Sequence, residues 1–312
     1  MADKTSLRIA YGQAITKLGH ENDKIVVLDA DLSSATMTNY FKKEFPDRHF
    51  NFGIAEANMM CAAAGFAHSG LIPFASTFAI FGAGRAYEMI RNSIAYVNAN
   101  VKIACTHAGL SVGEDGGSHQ SIEDLALMRV VPNMTVIAPA DPFEMTKAVK
   151  AAVAMDGPVY LRVARPVSDY VTEEGTPFEI GKAIVLRQSG ADDVALFACG
   201  LMVPEAIKAA DLLAEQGIKA SVTNIHTLKP LDVDTIRKMA GSAKAVVTCE
   251  EHSVIGGLGG AVAEALMGQV SVKFGMIGVQ DKFGKSGKPD QLFAEYHLTP
   301  PDIAAKAKTL LG

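Results

Sequence analysis

The chain has 312 residues, 49% of them hydrophobic and 20% charged, which is the composition of a globular protein long enough for two domains. A net charge of −5 without any basic block argues against nucleic-acid binding, because no positive surface is available for a phosphate backbone. No apolar run reaches the roughly 18 residues of a membrane span, and residues 1–6 lack the apolar part of a signal segment, so we expect a cytoplasmic protein without membrane contact.

In the first half of the chain, short apolar runs alternate with stretches of helical periodicity. The pattern predicts strands at 24–29, 71–74, 101–106, 135–139 and 159–163, and helices at 55–67, 83–97, 121–130 and 142–155. Apolar strands that alternate with helices indicate a mostly parallel sheet covered on both faces. We therefore expect a doubly wound α/β domain that closes with the strand at 159–163.

The predicted strand 101–106 leads into a segment rich in glycine and titratable side chains, His107-Ala-Gly-Leu-Ser-Val-Gly-Glu-Asp-Gly-Gly-Ser-His119. Its four glycines exclude a stable helix, so the segment is expected to be a loop. Two imidazoles and two carboxylates on a backbone that allows close approach suit proton transfer on a polar substrate. Taken alone, the segment is equally well interpreted as a solvated surface turn.

A polar stretch with several helix- and strand-breaking residues follows at 165–177 and predicts a linker. Beyond it, a second alternation predicts a smaller α/β domain, with strands at 193–200, 219–225, 244–250 and 272–279 and helices at 203–216, 232–240 and 256–267. Few ionisable residues of this half lie next to glycines, so we expect it to act as a scaffold.

Three further patterns are weak signals. Gly256-Gly-Leu-Gly-Gly260 could hold a phosphate at a helix start, but it lacks the dinucleotide-binding spacing, and close helix–strand packing or a subunit contact is the favoured interpretation. Gly284-Lys-Ser-Gly-Lys288 lacks the spacing of a P-loop and is interpreted as a solvated turn. The four cysteines are far apart in apolar stretches, which predicts buried, reduced thiols and no metal site.

Four segments become informative when they are taken together: Phe52-Gly-Ile-Ala-Glu56, Ser76-Thr-Phe-Ala-Ile-Phe81, Thr106 to Gln120, and Arg129-Val-Val-Pro-Asn-Met134. In this order they resemble the C-terminal half of transketolase, the family of thiamine diphosphate enzymes that transfer two-carbon ketol units between sugars. The resemblance covers nearly the whole chain. It implies a pyrimidine-binding domain over 1–165, a linker over 166–188 and a transketolase C-terminal domain over 189–312.

The resemblance also implies a missing part. In thiamine diphosphate enzymes the diphosphate is anchored by a divalent metal, which Gly-Asp-Gly and a downstream Asn hold, and no Gly-Asp-Gly occurs here. A split enzyme is implied, in which a separate transketolase N-terminal-type subunit binds the diphosphate and Mg²⁺ (or Ca²⁺), in an α2β2-like assembly. This chain would supply no metal ligand and would be inactive alone.

The matching positions imply roles at the cofactor. Glu56 would hydrogen-bond the pyrimidine nitrogen and so help to activate the cofactor, which requires apolar surroundings that favour a protonated carboxyl group. Phe78, with Phe81, would pack on the pyrimidine, and Asp31 would lie near the thiazolium ring. Local sequence leaves other interpretations open: a surface Glu at a helix start, two core phenylalanines, and a capping Asp.

Other positions match residues that bind substrate. His107 and Asp115 would contact the hydroxyls of the donor sugar, and His119 would hydrogen-bond the substrate and take part in proton transfer. Arg8 and Arg165 would bind the sugar phosphate, since planar guanidinium groups suit an oxyanion. Arg165 is otherwise interpreted as a solvated linker charge, and Arg162 as either a partner in this site or an unrelated arginine.

The substrate end departs from the family pattern. Ala35 replaces a phosphate-binding serine, Ala108 an aspartate, and Gly82 and Gly84 an aromatic position. The substrate is therefore expected to be a phosphorylated or otherwise anionic sugar, without commitment to the usual pentose phosphates. Two other functions stay open: a deoxyxylulose-phosphate-synthase-like or 2-oxo-acid-dehydrogenase beta-type subunit, and a non-catalytic partner subunit.

Overall fold

A computed structural model describes residues 5–312 of the chain. The expectation about an N-terminal signal segment falls mostly on residues 1–4, which lie outside the described residues. Among the helices that are described, none has the length and apolar character needed to cross a membrane.

The strands of the described residues form two sheets. They are β1 (Ile25–Asp29), β2 (His49–Asn51), β3 (Ile72–Phe78), β4 (Lys102–Thr106), β5 (Thr135–Ile137), β6 (Val159–Val163), β7 (Ile184–Arg187), β8 (Asp192–Ala198), β9 (Ala220–Asn224), β10 (Thr227–Lys229), β11 (Ala243–Ser253) and β12 (Lys273–Val279). The first sheet has the order β10-β5-β6-β4-β3-β1-β2 and the second β12-β11-β8-β9-β7. Only β10 with β5 and β7 with β9 pair antiparallel among these strands. The predicted fold class, two mostly parallel α/β units, is confirmed.

Helices cover the sheets. They are α1 (Leu7–Glu21), α2 (Ser33–Thr36), α3 (Asn39–Glu44), α4 (Glu56–His68), α5 (Tyr87–Met89), α6 (Asp124–Val130), α7 (Pro142–Ala154), α8 (Met202–Ala214), α9 (Val233–Gly241), α10 (Leu258–Leu266), α11 (Pro289–Glu295) and α12 (Pro300–Leu311). The start of α7 is capped by Asp141, which accepts a hydrogen bond from the Glu144 N–H at 2.8 Å, and Pro142 occupies the first helical position. The sequence did not lead us to expect α1, α2, α3, α11 or α12.

The helix predicted at 83–97 is interrupted. Two π-helical segments, Ile80–Arg85 and Ile90–Ala95, flank the short α5. Gly82 and Gly84 weaken an α-helix here. A side chain at Gly82 has no room, since its Cβ would lie 2.4 Å from the Cys105 sulfur.

Strand pairing corrects two further expectations, and the exposure of one thiol corrects a third. The first domain does not close with β6, which lies between β5 and β4, because β10 from the second half of the chain adds an antiparallel edge. Strand β7 lies inside the predicted linker 166–188 and pairs with β9 of the second sheet. Cys61 is exposed rather than buried, whereas the other three thiols are buried as expected.

The two sheets share a core. One apolar cluster contains Ile103 and Tyr160 of the first sheet together with Phe197 and Val246 of the second. A hydrogen bond of 2.8 Å from the Asn224 side-chain amide to the Glu144 carboxylate crosses the same boundary. The two halves of the chain are therefore held in a defined orientation, and this orientation fixes the positions of the loops between them.

Candidate active site

Predicted site residues follow the carboxyl ends of four neighbouring strands. Arg165, His107, Phe78 and Asp31 lie at or just after the ends of β6, β4, β3 and β1, which are adjacent in this order. Ligands of parallel α/β sheets bind outside the carboxyl ends of the strands. The fold thus gathers residues that are up to 134 positions apart in the chain at one sheet edge.

Four aromatic rings form the centre of this edge. The ring of Phe78 stacks on His107 with the ring centroids 3.8 Å apart, and lies nearly parallel to Phe81 at 6.0 Å. His119 presents its edge to Phe81 at 5.4 Å. The glycine-rich loop, residues 107–120, is therefore packed against the end of β3 and is not a free surface turn.

His107 is held in a neutral form. Its backbone φ is 57°, and its Nδ1 shares a hydrogen bond of 2.8 Å with the Thr106 hydroxyl. Burial, followed by the positive charges of Arg8 and Arg165 and by the nearby His119, lowers the pKa of His107 to about 3. The imidazole is thus an uncharged hydrogen-bonding group at neutral pH.

Glu56 is the first residue of α4, with only 2% of its side chain exposed, so it is not a surface glutamate. Met59 beside it is buried, but Ile54 is 77% exposed. Arg85 Nη1 donates a hydrogen bond to Glu56 Oε2 at 3.3 Å. The expected apolar surroundings are therefore only partly present, because a guanidinium group faces the carboxyl group.

The capping role considered for Asp31 belongs to Asp29 instead. The buried Asp29 carboxylate accepts hydrogen bonds from the Leu32 N–H at 2.5 Å and from the Thr36 hydroxyl at 2.7 Å. Asp31 has a φ of 64°, is exposed, and accepts a hydrogen bond from the Asn51 side-chain amide at 3.0 Å. Its side chain takes no part in the buried cap.

Arg8 and Arg165 lie together in a cavity of about 410 Å³. Arg8 donates to the Ala35 carbonyl oxygen at 2.7 Å and to the Arg165 carbonyl oxygen at 3.2 Å. Burial, with the charge of Arg165, lowers the pKa of Arg8. Arg165 Nη1 lies 3.8 Å from the carboxylates of both Glu114 and Asp115, so this arginine is not a solvated linker charge.

Arg162 does not belong to this cavity. It is buried, and its guanidinium group makes two hydrogen bonds, of 2.8 and 3.1 Å, to the Asp124 carboxylate, which also accepts one from Tyr160 at 2.8 Å. Arg162 also donates to the Glu251 carbonyl oxygen at 2.9 Å. This network is structural, so Arg162 is not a partner of Arg8 and Arg165.

The second half contributes more to the site than a scaffold. Glu251 on β11 is buried and accepts a hydrogen bond from the Ser111 N–H of the glycine-rich loop. The turn at 284–288 also packs on this loop, since Gln120 donates to the Lys285 carbonyl oxygen at 3.0 Å and Ser286 to that of Glu114 at 2.7 Å. It is not a simple solvated turn. Three consecutive ionisable residues at 250–252, at the end of the predicted strand 244–250, were the available signal.

The glycines at 256–260 serve close packing, one of the two interpretations that the sequence favoured over a phosphate site. The buried Glu250 carboxylate accepts hydrogen bonds from the Leu258 and Gly259 N–H groups at 2.6 and 2.8 Å. The protein's own carboxylate thus occupies the start of α10, where a phosphate would have bound. Residues 5–312 contain no group of three or more His, Cys, Asp or Glu arranged to hold a metal ion.

Comparison with known proteins defines the class. Residues 3–168 match the family model of the transketolase pyrimidine-binding domain, and residues 181–303 match that of the transketolase C-terminal domain. The chain therefore belongs to the transketolase family, whose enzymes depend on thiamine diphosphate. The resemblance deduced from the four sequence segments is confirmed.

Several relatives are similar over most of this chain. It is 47% identical to a candidate transketolase C-terminal section of Methanocaldococcus jannaschii, covering 96% of this chain and 94% of that one. It is 41% identical to a 6-deoxy-6-sulfo-D-fructose transketolase subunit of a Clostridium species, covering 96% and 93%. Human transketolase is 37% identical, and this chain spans 50% of its length.

A solved structure shows the same arrangement. The chain superimposes on a split-gene transketolase, described as an inactive β4 tetramer, with a TM-score of 0.90 and 49% sequence identity, covering 99% of this chain and 98% of that one.

Proposed function

We propose that this chain is one subunit of a split, thiamine-diphosphate-dependent transketolase, which transfers a two-carbon ketol unit from a ketose phosphate to an aldose acceptor. The observation that carries the proposal is the convergence of Glu56, Phe78, His107 and Arg165 at one sheet edge. The chain supplies the pyrimidine and sugar sites, and a partner subunit completes the enzyme.

The residues fit an aminopyrimidine. Phe78 and Phe81 provide nearly parallel rings, and Glu56 provides a buried carboxyl group nearby. A flat, N–H-donating group already fits this position, because the Arg85 guanidinium contacts Glu56 and lies 5.1 Å from the Phe81 ring centroid. When bound, thiamine diphosphate supplies the nucleophilic carbon that carries the two-carbon unit. Glu56 would hydrogen-bond the ring nitrogen, and Asp31 would lie close to the cofactor.

The sugar would bind on the other side of Phe78. His107 and Asp115 would orient the donor hydroxyls, with neutral His107 able to accept a hydrogen bond. His119 would hydrogen-bond the substrate and move a proton. Arg8 and Arg165, at the far end, would hold its anionic group.

The charge and shape of the two guanidinium groups favour a substrate that carries an anionic group. Arg8 and Arg165 offer planar donors to any tetrahedral oxyanion, a phosphate or a sulfonate. Ala35 uses its carbonyl oxygen to hold Arg8 and has no hydroxyl to offer a phosphate. The Clostridium relative, named for a sulfosugar, supports keeping both anions open.

We infer that a transketolase N-terminal-type subunit supplies the diphosphate and Mg²⁺ (or Ca²⁺) site, in an α2β2-like assembly. Two observations support this inference. The chain aligns with half of human transketolase, and its relatives include a C-terminal section and a split-gene enzyme. That split-gene structure is a tetramer of β chains and is described as inactive, in agreement with a chain that needs its partner.

The decisive experiment is reconstitution. This chain is mixed with the diphosphate-binding subunit, thiamine diphosphate and Mg²⁺, and pairs of ketose phosphates and aldoses are screened by mass spectrometry of the products. We expect transfer of a two-carbon unit by the mixture and none by either subunit alone. A mixture that binds the cofactor but transfers no ketol unit between any pair would contradict the proposal.

A further inference from the structure

Arg85 joins two residues that the proposed function assigns to the cofactor ring. Its Nη1 donates to Glu56 Oε2 at 3.3 Å, and its guanidinium carbon lies 5.1 Å from the centroid of the Phe81 ring. Arg85 is 56% exposed, whereas Glu56 is almost fully buried. The guanidinium group therefore covers the solvent side of a buried carboxyl group.

The contacts of Arg85 have the chemistry of the expected ligand. A guanidinium group and an aminopyrimidine are both flat, both direct N–H bonds outward in their plane, and both stack on aromatic rings. Arg85 can only donate hydrogen bonds. Glu56 Oε2 is thus an acceptor in this state, whereas the ring nitrogen of a pyrimidine needs a carboxyl group that donates.

Release of Arg85 requires a small change. Within residues 5–312, Glu56 is the hydrogen-bond partner of the Arg85 side chain, and no second ion pair holds it. Arg85 ends the π-helical segment Ile80–Arg85, next to Gly84, which has no side chain to obstruct a rotation. Only the Arg85 side of this ion pair is exposed, so water can solvate its guanidinium group when a ring takes its place on Glu56.

We propose that Arg85 occupies the pyrimidine site of the free chain and must leave Glu56 before the cofactor ring can bind. Arg85 then lowers the apparent affinity for the cofactor by the fraction of chains in which the site is open. This inference rests on the proposed function, since it assigns Glu56 and Phe81 to the ring.

The test is a calorimetric titration of thiamine diphosphate, with Mg²⁺ present, into this chain assembled with its diphosphate-binding subunit. We expect Arg85→Ala and Arg85→Gln to bind the cofactor about three- to tenfold more tightly than the wild type. The gain should shrink at high salt, because screening weakens the competing ion pair. Arg91→Ala is the matched control, since Arg91 is exposed and donates to the neighbouring Asn92 at 2.6 Å.

Equal or weaker binding by both Arg85 variants would overturn the inference. Glu56→Gln, made in the Arg85→Ala background and titrated in the same way, separates this failure from failure of the proposed function. If the double variant binds more weakly than Arg85→Ala while the Arg85 variants do not bind more tightly than the wild type, only the competition by Arg85 is wrong. If the double variant binds as Arg85→Ala does, the role of Glu56 is wrong and the competition falls with it.

Discussion

The buried carboxyl group of Glu251, on β11 of the second sheet, accepts a hydrogen bond from the backbone N–H of Ser111 in the glycine-rich loop. The same loop carries His107, Asp115 and His119. Gly109 lies so close to Glu251 that a Cβ there would be 2.5 Å from the carboxyl carbon. The second half of the chain therefore determines how the loop presents its side chains.

Gly109→Ala should lower the free energy of unfolding by about 3 kcal/mol, because it adds a steric clash to an unfavourable positive φ of 80°. Gly70→Ala is the control for the cost of a positive φ without a steric clash, since Gly70 has a φ of 86° and no atom lies within 4 Å of its Cβ position. It should cost about 1 kcal/mol. Urea denaturation measures both, and equal losses would mean that Glu251 does not constrain the loop.

Glu56→Gln should reduce turnover of the reconstituted enzyme by roughly two to four orders of magnitude, the usual contribution of a positioned acid or base. The amide keeps the shape of the side chain but cannot exchange a proton with the ring nitrogen. Steady-state kinetics measure the loss, with Glu88→Gln, on the short helix α5, as control. A near-wild-type rate in the Glu56 variant would refute its assigned role.

His119→Ala should impair turnover or sugar binding and leave cofactor affinity largely intact. His119 contacts Phe81 by its ring edge and Ser118 by a hydrogen bond of 3.0 Å, and neither contact involves Glu56. Kinetics with varied sugar and calorimetry with thiamine diphosphate separate the two effects. His68→Ala, at an exposed position, is the control. Unchanged kinetics in a folded variant would count against the assignment.

Substitution of Arg165 should affect substrate binding, whereas substitution of Arg162 should affect stability. Arg165→Ala should raise the KM for an anionic sugar by about 10- to 100-fold through loss of a charge-assisted hydrogen bond, with little effect on an uncharged analogue. Arg162→Ala leaves the buried Asp124 carboxylate without its cation and should cost about 3–5 kcal/mol of stability. Kinetics on both sugars and urea denaturation measure these effects. A stability loss confined to Arg165→Ala would reverse our assignments.

Acid should destabilise the protein partly through His107. Its pKa is about 3 in the folded chain and near 6.5 when unfolded, so between these values the unfolded state binds more protons. Stability is then lost as the pH falls below about 6.5. Between pH 7 and pH 5 the wild type should lose about 2 kcal/mol more than His107→Asn, in which Asn tolerates the positive φ. Denaturation at both pH values measures this difference, and identical losses would show that His107 is not held neutral.

Periodicity was sufficient for elements whose burial follows from their own residues. The apolar runs of β1, β4 and β6 are buried throughout and lie close to their predicted bounds. Periodicity failed where contacts with neighbouring elements determine the local conformation. The stretch 83–97 has helical periodicity, yet Gly82 packs on Cys105 and the segment forms π-helical turns. Strand β7 is only partly buried, so its few apolar residues did not predict a strand. Its strand conformation depends on pairing with β9.

The site followed the same division. The resemblance of the ordered motifs to the transketolase family implied site positions for Glu56, Phe78, His107 and Arg165. The contact of Glu251 with the loop joins residues 140 positions apart, and Arg85 reaches Glu56 across 29. Such contacts depend on which elements pack together, which local sequence does not record.

The amino-acid sequence by itself determined the two α/β units, since these depend on order and periodicity, and its motifs carried the resemblance that gave the family and implied the candidate site residues. Tertiary structure alone decided that Asp29 and not Asp31 caps the turn after β1, that Arg162 pairs with Asp124, and that Arg85 covers Glu56. The physical reason is that hydrogen bonds and ion pairs form between side chains that the fold brings within about 3 Å, whatever their separation along the chain.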